Sequence, residues 1–155
     1  MDDITANIPI GAKYKSIGRT LGEGDFSLIT NLTWTTSELH SNFEHMKDTP
    51  FGERILAGPC VVAVVTGLTL TGDHLERALE KVGFRPVAML GMDKIRFPAP
   101  VKPNDTLWAE TEIVGARPTR HPERFVLTVI DRGFNQRGEM VSEATRTGLF
   151  ERAKA

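Results

Sequence analysis

The sequence of 155 residues has a single cysteine, Cys60, which excludes an intramolecular disulfide. A lone thiol is typical of a protein in a reducing compartment. The chain also lacks an excess of charge of one sign, since 19 Lys and Arg residues face 20 Asp and Glu residues. A formal net charge of -1 excludes a generally basic nucleic-acid-binding protein, so we expect no nucleic-acid partner.

Long apolar runs are missing as well. The most apolar stretch, residues 55–70, is interrupted by glycine, proline and threonine. A membrane-spanning helix needs about 20 apolar residues, so we interpret this stretch as a buried core element and expect no membrane partner. Residues 1–4 are acidic where a secretory signal peptide is basic. We therefore expect a cytoplasmic protein.

The chain shows no repeat, linker or low-complexity segment, which predicts one domain over residues 1–155. Residues 1–22 predict an extended leader with an early edge strand, followed by a short helix from Phe26 to Leu32 that is capped within Glu23–Asp25. Residues 33–50 are polar and predict a loop with one helical turn.

Residues 55–70 are ambiguous, because their valines favour a strand whereas their length favours a helix. We choose a central buried helix, since Gly58-Pro59 suits a helix start. A second amphipathic helix follows, with Asp73 as its predicted cap and Gly83 at its end.

The remaining chain has the pattern of strands separated by turns. The predicted strands are rich in β-branched and aromatic residues and cover 87–97, 106–114, 124–134 and 140–150. Residues 98–105 contain three prolines and predict a wide connection, and Asn135–Gly138 predicts a tight hairpin turn. Helices followed by antiparallel strands predict an α+β fold with helix packed on sheet.

Few residues of the sequence indicate a catalytic or ligand-binding role. The four histidines lack the spacing of zinc ligands, and the phosphate-binding, dinucleotide and nucleophile-elbow motifs are absent, so we expect no metal or cofactor. His40, in the polar segment, can transfer protons near neutral pH, although a plain surface histidine is the alternative. Cys60 is expected to be a buried inert thiol, and the Thr66 hydroxyl to bond a carbonyl one turn earlier.

A resemblance sharpens this interpretation. Thr35-Thr36-Ser37-Glu38-Leu39-His40 and Phe51-Gly52-Glu53-Arg54-Ile55-Leu56-Ala57-Gly58 resemble the D-x-N-P-x-H and F-G-x-R-I-x-x-G motifs of the MaoC-like dehydratases, the (R)-specific enoyl-CoA hydratases. Residues 96–101 and 105–107 are similar to the family's R-F-x-x-P-V and G-D-x-L signature. The resemblance spans about residues 17–150, and residues 65–68 and 133–138 are closest to the mesaconyl-CoA hydratase-like branch.

The resemblance implies a hot-dog fold, in which an antiparallel β-sheet wraps around a long central helix near residues 58–70. It also implies a homodimer or a dimer-based higher oligomer, with an acyl-CoA tunnel at the subunit interface. The implied enzyme is a lyase that adds water reversibly to the C2–C3 double bond of an enoyl-CoA thioester, such as a short branched or dicarboxylic one.

Site residues carry over by position. His40 matches the family's catalytic histidine, Gly58 its oxyanion-stabilising amide, and Thr66 a serine near the water in some members. Thr35 replaces the family's aspartate; its hydroxyl can hold a water but cannot accept a proton near pH 7. His40 would then be the sole base, with Thr35 and Ser37 positioning the water.

Charged residues complete the predicted site. Glu38 or Glu44 supplies a carboxylate if it turns inward, and solvent exposure is the alternative. The candidates for phosphate contacts are Lys94, Arg96, Lys102 and Arg137. Arg54 is the candidate for a second substrate carboxylate, with a salt bridge to a loop glutamate as the alternative. Two other functions stay open: a hot-dog thioesterase, which needs Glu38 or Glu44, and an acyl-CoA-binding protein that has lost the reaction with the aspartate.

Overall fold

The computed structural model describes residues 4–72 and 74–153. The helices of the described residues are α1 (Glu23–Leu32), α2 (Glu38–Ser41), α3 (Phe43–Lys47), α4 (Gly58–Leu68) and α5 (Leu75–Lys81). The strands are β1 (Lys13–Lys15), β2 (Arg19–Thr20), β3 (Phe84–Arg96), β4 (Thr106–Pro118), β5 (Arg124–Phe134) and β6 (Met140–Arg152).

The strands form one antiparallel sheet in the order β1-β4-β5-β6-β3, with β2 also paired to β4. The hairpin between β5 and β6 closes at residues 135–138, where Gly138 has a φ of +76° and the Asn135 N–H donates to the Glu139 carbonyl at 3.0 Å. The sheet wraps around α4, which confirms the α+β class and the hot-dog arrangement.

Helix α4 is the central element of the core. Its side chains Cys60, Val61, Val65 and Leu68 are buried. A Cβ atom on Gly133 of β5 would lie only 2.5 Å from Cγ2 of Val65, so the sheet approaches the helix closely where it carries no side chain. Pro59 in the first turn sets the start of the helix, and this resolves the helix-or-strand ambiguity as predicted.

Several boundaries differ from the prediction. Helix α1 begins at Glu23 rather than Phe26, because the Gly22 N–H donates to Asp25 Oδ2 at 3.2 Å and so places Asp25 inside the first turn. Residues 33–50 hold two short helices instead of one turn, since the Asn42 side chain accepts the His45 N–H at 3.0 Å and starts α3. The predicted cap Asp73 lies outside the described residues.

Three of the strands, β3, β4 and β6, are longer than predicted. β3 begins at Phe84, three residues early, and β4 and β6 extend to Pro118 and Arg152. β3 contains Pro86, which is compatible with a strand at the edge of a sheet because its missing N–H leaves the pairing with β6 in place. No helix of the described residues has both the length and the apolar character to cross a membrane.

Candidate functional site

A cavity of about 290 Å³ lies at the N-terminal end of α4. α2 contributes His40, α4 contributes Gly58 and Val61, and the connection after β3 contributes Phe97 and its neighbours. Phe51, Ile55 and Leu56 complete the wall on the side of α3. The structure therefore brings together His40 and Gly58, two of the residues that the sequence singled out.

The imidazole of His40 is held in one orientation. Its Nδ1 lies 2.7 Å from the carbonyl oxygen of Ile55, and the Ile55 N–H donates to the Leu39 carbonyl at 3.1 Å. Because a carbonyl oxygen only accepts, Nδ1 carries the proton of the neutral ring, and Nε2 keeps its lone pair. The half-buried His40 is thus arranged to accept a proton at Nε2.

Gly58 lines the same cavity, and its backbone N–H lies at the start of α4. Pro59 has no N–H, and the Val61 N–H donates to the Ala57 carbonyl at 3.0 Å, so the Gly58 N–H is a first-turn donor outside the intrahelical ladder. It lies at the positive end of the helix dipole, which favours developing negative charge. The ring of Phe97 covers this position, since a Cβ on Gly58 would lie 2.7 Å from its Cε2.

Thr35 lies outside the cavity lining. Its hydroxyl is 2.9 Å from Thr33 Oγ1 and 3.7 Å from Cys60 Sγ, and it donates to the Thr30 carbonyl at 3.5 Å. The chain turns here because Trp34 takes a φ of +57° and the Thr35 N–H bonds the Thr30 carbonyl, which closes α1 with a left-handed residue. Cys60 is buried, as predicted, and contacts both Thr33 and Thr35. No motif or spacing in the sequence indicates this contact.

Thr66 and Ser37 also lie apart from the cavity lining. Thr66 is half-buried on α4, eight positions after Gly58, which corresponds to about 12 Å along the helix. Its carbonyl accepts the Thr69 hydroxyl at 2.7 Å. Ser37 caps α2, where its carbonyl accepts the His40 N–H at 2.9 Å, so it positions the histidine through the backbone.

Both candidate carboxylates face solvent. Glu38 has 66% of its side chain exposed and lies 3.5 Å from His45 Nδ1. Glu44 is 78% exposed and pairs with Lys47 at 2.8 Å. The alternative of solvent exposure therefore describes both residues, and neither carboxylate lines the His40 cavity.

The basic candidates are distributed around the fold. Arg54 pairs with Glu23, which belongs to the first turn of α1 rather than to a loop, and it is absent from the cavity lining. Arg137 pairs with Asp105 at 2.9 Å and with Glu139 at 2.7 Å. Lys94 is exposed on β3 with a φ of +52°.

Two of the basic candidates are connected to the cavity lining, Arg96 through the chain and Lys102 through a hydrogen bond. Arg96 precedes Phe97 in sequence and pairs with Glu143 while remaining 70% exposed. Lys102 donates from Nζ to the carbonyl of Phe51 at 2.8 Å. Since Phe51 and Phe97 both line the cavity, each of these two cations neighbours a residue of its lining.

Two other cavities differ in chemistry. One of about 510 Å³ lies between α1 and α4 and is mainly apolar, with Arg19 and Asp25 paired at its rim. Another of about 520 Å³ lies at the opposite end of the sheet and is lined by ion pairs such as Arg85–Glu151. The described residues contain no group of three or more metal-ligating side chains.

Comparison with known proteins gives a consistent family. A protein from Archaeoglobus fulgidus, described as a monoamine oxidase regulatory protein, is 29% identical, with 96% of this chain and 93% of that one covered and a TM-score of 0.79. A MaoC-like dehydratase from Rhodospirillum rubrum is 20% identical over the full length of both chains, with a TM-score of 0.81. The R-hydratase PhaJ1 from Pseudomonas aeruginosa is 22% identical over 97% of this chain and 85% of that one, with a TM-score of 0.70.

At the lower two identities the likeness concerns the fold. A search of curated proteins gave no match. The family model of the MaoC-like domain matches residues 6–132, which is most of the sequence. The chain therefore belongs to the MaoC-like domain family.

Proposed function

We propose that the protein is a hydratase/dehydratase that adds water reversibly to the C2–C3 double bond of a 2-enoyl-CoA thioester. The observation that carries the proposal is the shared cavity of His40, whose Nε2 is available as a base, and the Gly58 N–H at the start of α4. Membership of the MaoC-like domain family supports this class of reaction.

The proposed reaction needs one base and one oxyanion donor. A water oxygen bonds to C3 while His40 Nε2 accepts one of its protons, and the C2–C3 π electrons shift towards the thioester oxygen. The Gly58 N–H stabilises the negative charge that develops there. The imidazolium then returns its proton to C2, which leaves the enzyme unchanged and the water added across the double bond.

The lining of the cavity favours a short acyl group without a second charge. Among its lining residues His40 is the sole titratable side chain, and the others are apolar or glycine. A buried carboxylate needs a charged partner. Arg54, the candidate partner for such a carboxylate, is already paired with Glu23. A short branched acyl group therefore fits this cavity better than a dicarboxylic one such as mesaconyl.

We further propose that the phosphates of the CoA part bind at Arg96 and Lys102, with Lys94 as a third cation further along β3. Arg96 and Lys102 neighbour the lining residues Phe97 and Phe51, and ammonium and guanidinium groups pair well with phosphate oxygens. Arg137 is a weaker candidate, because both Asp105 and Glu139 pair with its guanidinium. Arg96 and Lys102 each pair with a single carboxylate. Thr35 and Thr66 lie outside the lining of the cavity, so we assign neither of them a role in the reaction.

A homodimer through β3 fits the sheet. β3 has 13 residues, pairs with β6 on one side only, and exposes Met89, Leu90 and Ile95. A long apolar edge strand is prone to pair with another strand. A second copy related by a two-fold axis would extend the sheet across this edge and cover these side chains.

The buried free thiol of Cys60 supports a reducing, cytoplasmic location.

An acyl-CoA-binding protein without catalysis is the second candidate, and Thr35 in place of a carboxylate favours it. The thioesterase alternative is not supported, since Glu38 and Glu44 both face solvent.

The test is the absorbance of the enoyl-thioester band of crotonyl-CoA and mesaconyl-CoA. We expect a fall in absorbance with crotonyl-CoA that His40→Ala abolishes and His45→Ala, a nearby exposed histidine, leaves unchanged. A raised melting temperature with acyl-CoA but no change in absorbance would replace the hydratase by the binding protein. Release of free CoA thiol, detected by a thiol reagent, would indicate a thioesterase.

A further inference from the structure

We infer that the ion pair between Glu23 and Arg54 positions His40, because it anchors the residue that precedes Ile55, the hydrogen-bond partner of the imidazole. The inference rests on the proposed role of His40 as the base. It assigns Arg54 a positioning role that is distinct from contact with substrate.

The guanidinium of Arg54 is confined by α1. Its side chain is only 12% exposed, and its Nη2 bonds to Glu23 Oε1. Its Cζ lies 5.2 Å from the ring centroid of Phe26, which is fully buried in the core around α4. Its Nε is buried without a hydrogen-bond partner among the described residues, so the contact with Glu23 is the one polar anchor of this side chain.

The chain from residue 54 to residue 56 contacts three other parts of the fold. Arg54 reaches α1 through its side chain, and Ile55 bonds α2 through both its N–H and its carbonyl. The Leu56 N–H donates to the Val101 carbonyl in the connection after β3 at 2.8 Å. Helix α4 begins two residues later, so a displacement of this junction moves both the His40 acceptor and the Gly58 donor.

The charge of the pair persists at neutral pH. The hydrogen bond from Arg54 is the main influence on Glu23, and with a smaller contribution from the Ser27 hydroxyl it outweighs burial and lowers the pKa of this carboxyl. An exposed ion pair would contribute little to stability. Here the arginine side chain is buried, so the guanidinium is held in one place. A fixed guanidinium is what the positioning of the neighbouring Ile55 carbonyl requires.

The test is the tautomer of His40, measured by two-dimensional ¹H–¹⁵N NMR of the histidine rings, with His40→Ala used for assignment. We expect the Nδ1-protonated tautomer in the unaltered protein. Arg54→Met keeps an apolar stem over Phe26 but loses the ion pair. In this variant we expect the ratio of the Nδ1-protonated to the Nε2-protonated tautomer of His40 to fall about threefold or more. We expect kcat to fall about tenfold with KM changed less than about twofold.

Two further variants separate positioning from general stability. Arg54→Lys retains a cation near Glu23 and should restore at least half of the loss. Arg19→Met removes the exposed Arg19–Asp25 pair next to the same helix and should leave the His40 signals unchanged. An unchanged tautomer ratio of His40 in Arg54→Met would overturn the inference. If that variant fails to fold, the tautomer ratio is measured in Glu23→Gln, where an unchanged ratio overturns the inference in the same way.

The NMR reading does not depend on turnover. If the unaltered protein shows no hydration but Arg54→Met still changes the His40 tautomer, the positioning role stands and the proposed function fails. If hydration occurs and the tautomer is unaffected, the proposed function stands and the positioning role fails.

Discussion

The aromatic ring of Phe97 occupies the space that a side chain on Gly58 would need, with Cε2 2.7 Å from the position of a Cβ atom. Phe97 therefore packs directly on the start of α4 and forms one wall of the His40 cavity. A side chain at position 58 would therefore have to displace this ring, so the packing favours glycine there in addition to any role of its N–H.

Gly58→Ala should destabilise the protein and impair the site. The added methyl group displaces the Phe97 ring, which is half-exposed and can turn outward, so we expect a cost of about 1 kcal/mol in the free energy of unfolding relative to Gly67→Ala. Urea unfolding measures this cost, and hydration of crotonyl-CoA measures the loss of activity. Gly67→Ala is the control on the same helix, because its Cβ would meet no atom within 4 Å.

The double variant Gly58→Ala with Phe97→Ala relieves the clash. It should be more stable than the sum of the two single changes predicts, since the two positions are in contact. Equal stability of Gly58→Ala and Gly67→Ala would contradict the proposed packing.

Thr35→Asp should not accelerate hydration, although it restores the aspartate of the family motif. Residue 35 lies outside the lining of the His40 cavity and contacts Thr33 and the buried Cys60, so a carboxylate there adds no proton acceptor to that cavity. Because a carboxylate beside a buried thiol is poorly solvated, we expect an unchanged or lower initial rate with crotonyl-CoA at pH 7. Thr36→Asp adds the same charge at the neighbouring exposed position and should leave the rate unchanged. A rise of about tenfold or more in Thr35→Asp would contradict this placement.

Trp34→Gly should stabilise the fold. Trp34 is 87% exposed and takes a φ of +57° at the end of α1, a conformation that glycine adopts without strain. Relief of this strain exceeds the greater flexibility of glycine in the unfolded chain, so we expect a gain of about 0.5–1 kcal/mol in urea unfolding. Trp34→Ala removes the ring but keeps the Cβ atom, and it should bring no gain.

The stabilising effect of the Asp105 carboxylate should disappear in acid. Burial raises the pKa of Asp105, but hydrogen bonds from the Lys102 N–H, Arg137 and Gln136 together lower it by more than burial raises it. The pKa of Asp105 in the folded protein therefore lies below its ordinary value. A carboxyl with a lowered pKa stabilises the fold at and above its unfolded pKa, and this stability is lost as the pH falls through the folded pKa. Below about pH 4 the stability difference between the unaltered protein and Asp105→Asn should therefore shrink.

Urea unfolding at pH 7 and at pH 3 checks this dependence. Glu44→Gln, at an exposed carboxylate, serves as the control for a general effect of charge removal. A difference between the unaltered protein and Asp105→Asn that is constant between the two pH values would refute the assignment.

Much of the fold was predictable because its signals are local. Pro59 marks the start of α4, and the strand over 124–134 agrees with β5 from end to end. The turn at 135–138 follows from a glycine that can take a positive φ. The start of β3 was missed because Arg85-Pro86 interrupts the apolar pattern, and only the edge position in the sheet makes a proline acceptable there.

The sequence by itself determined the α+β order of elements, the family resemblance and the prediction of His40 and Gly58. Only the tertiary structure decided which partner each polar side chain has: Ile55 for His40, Glu23 for Arg54, and Thr33 with Cys60 for Thr35. The physical reason is that hydrogen bonds act over about 3 Å, whereas these groups become neighbours only after α1, α2 and α4 have packed together. Periodicity and turn signals reach a few residues along the chain, so they specify the elements but not the contacts between them.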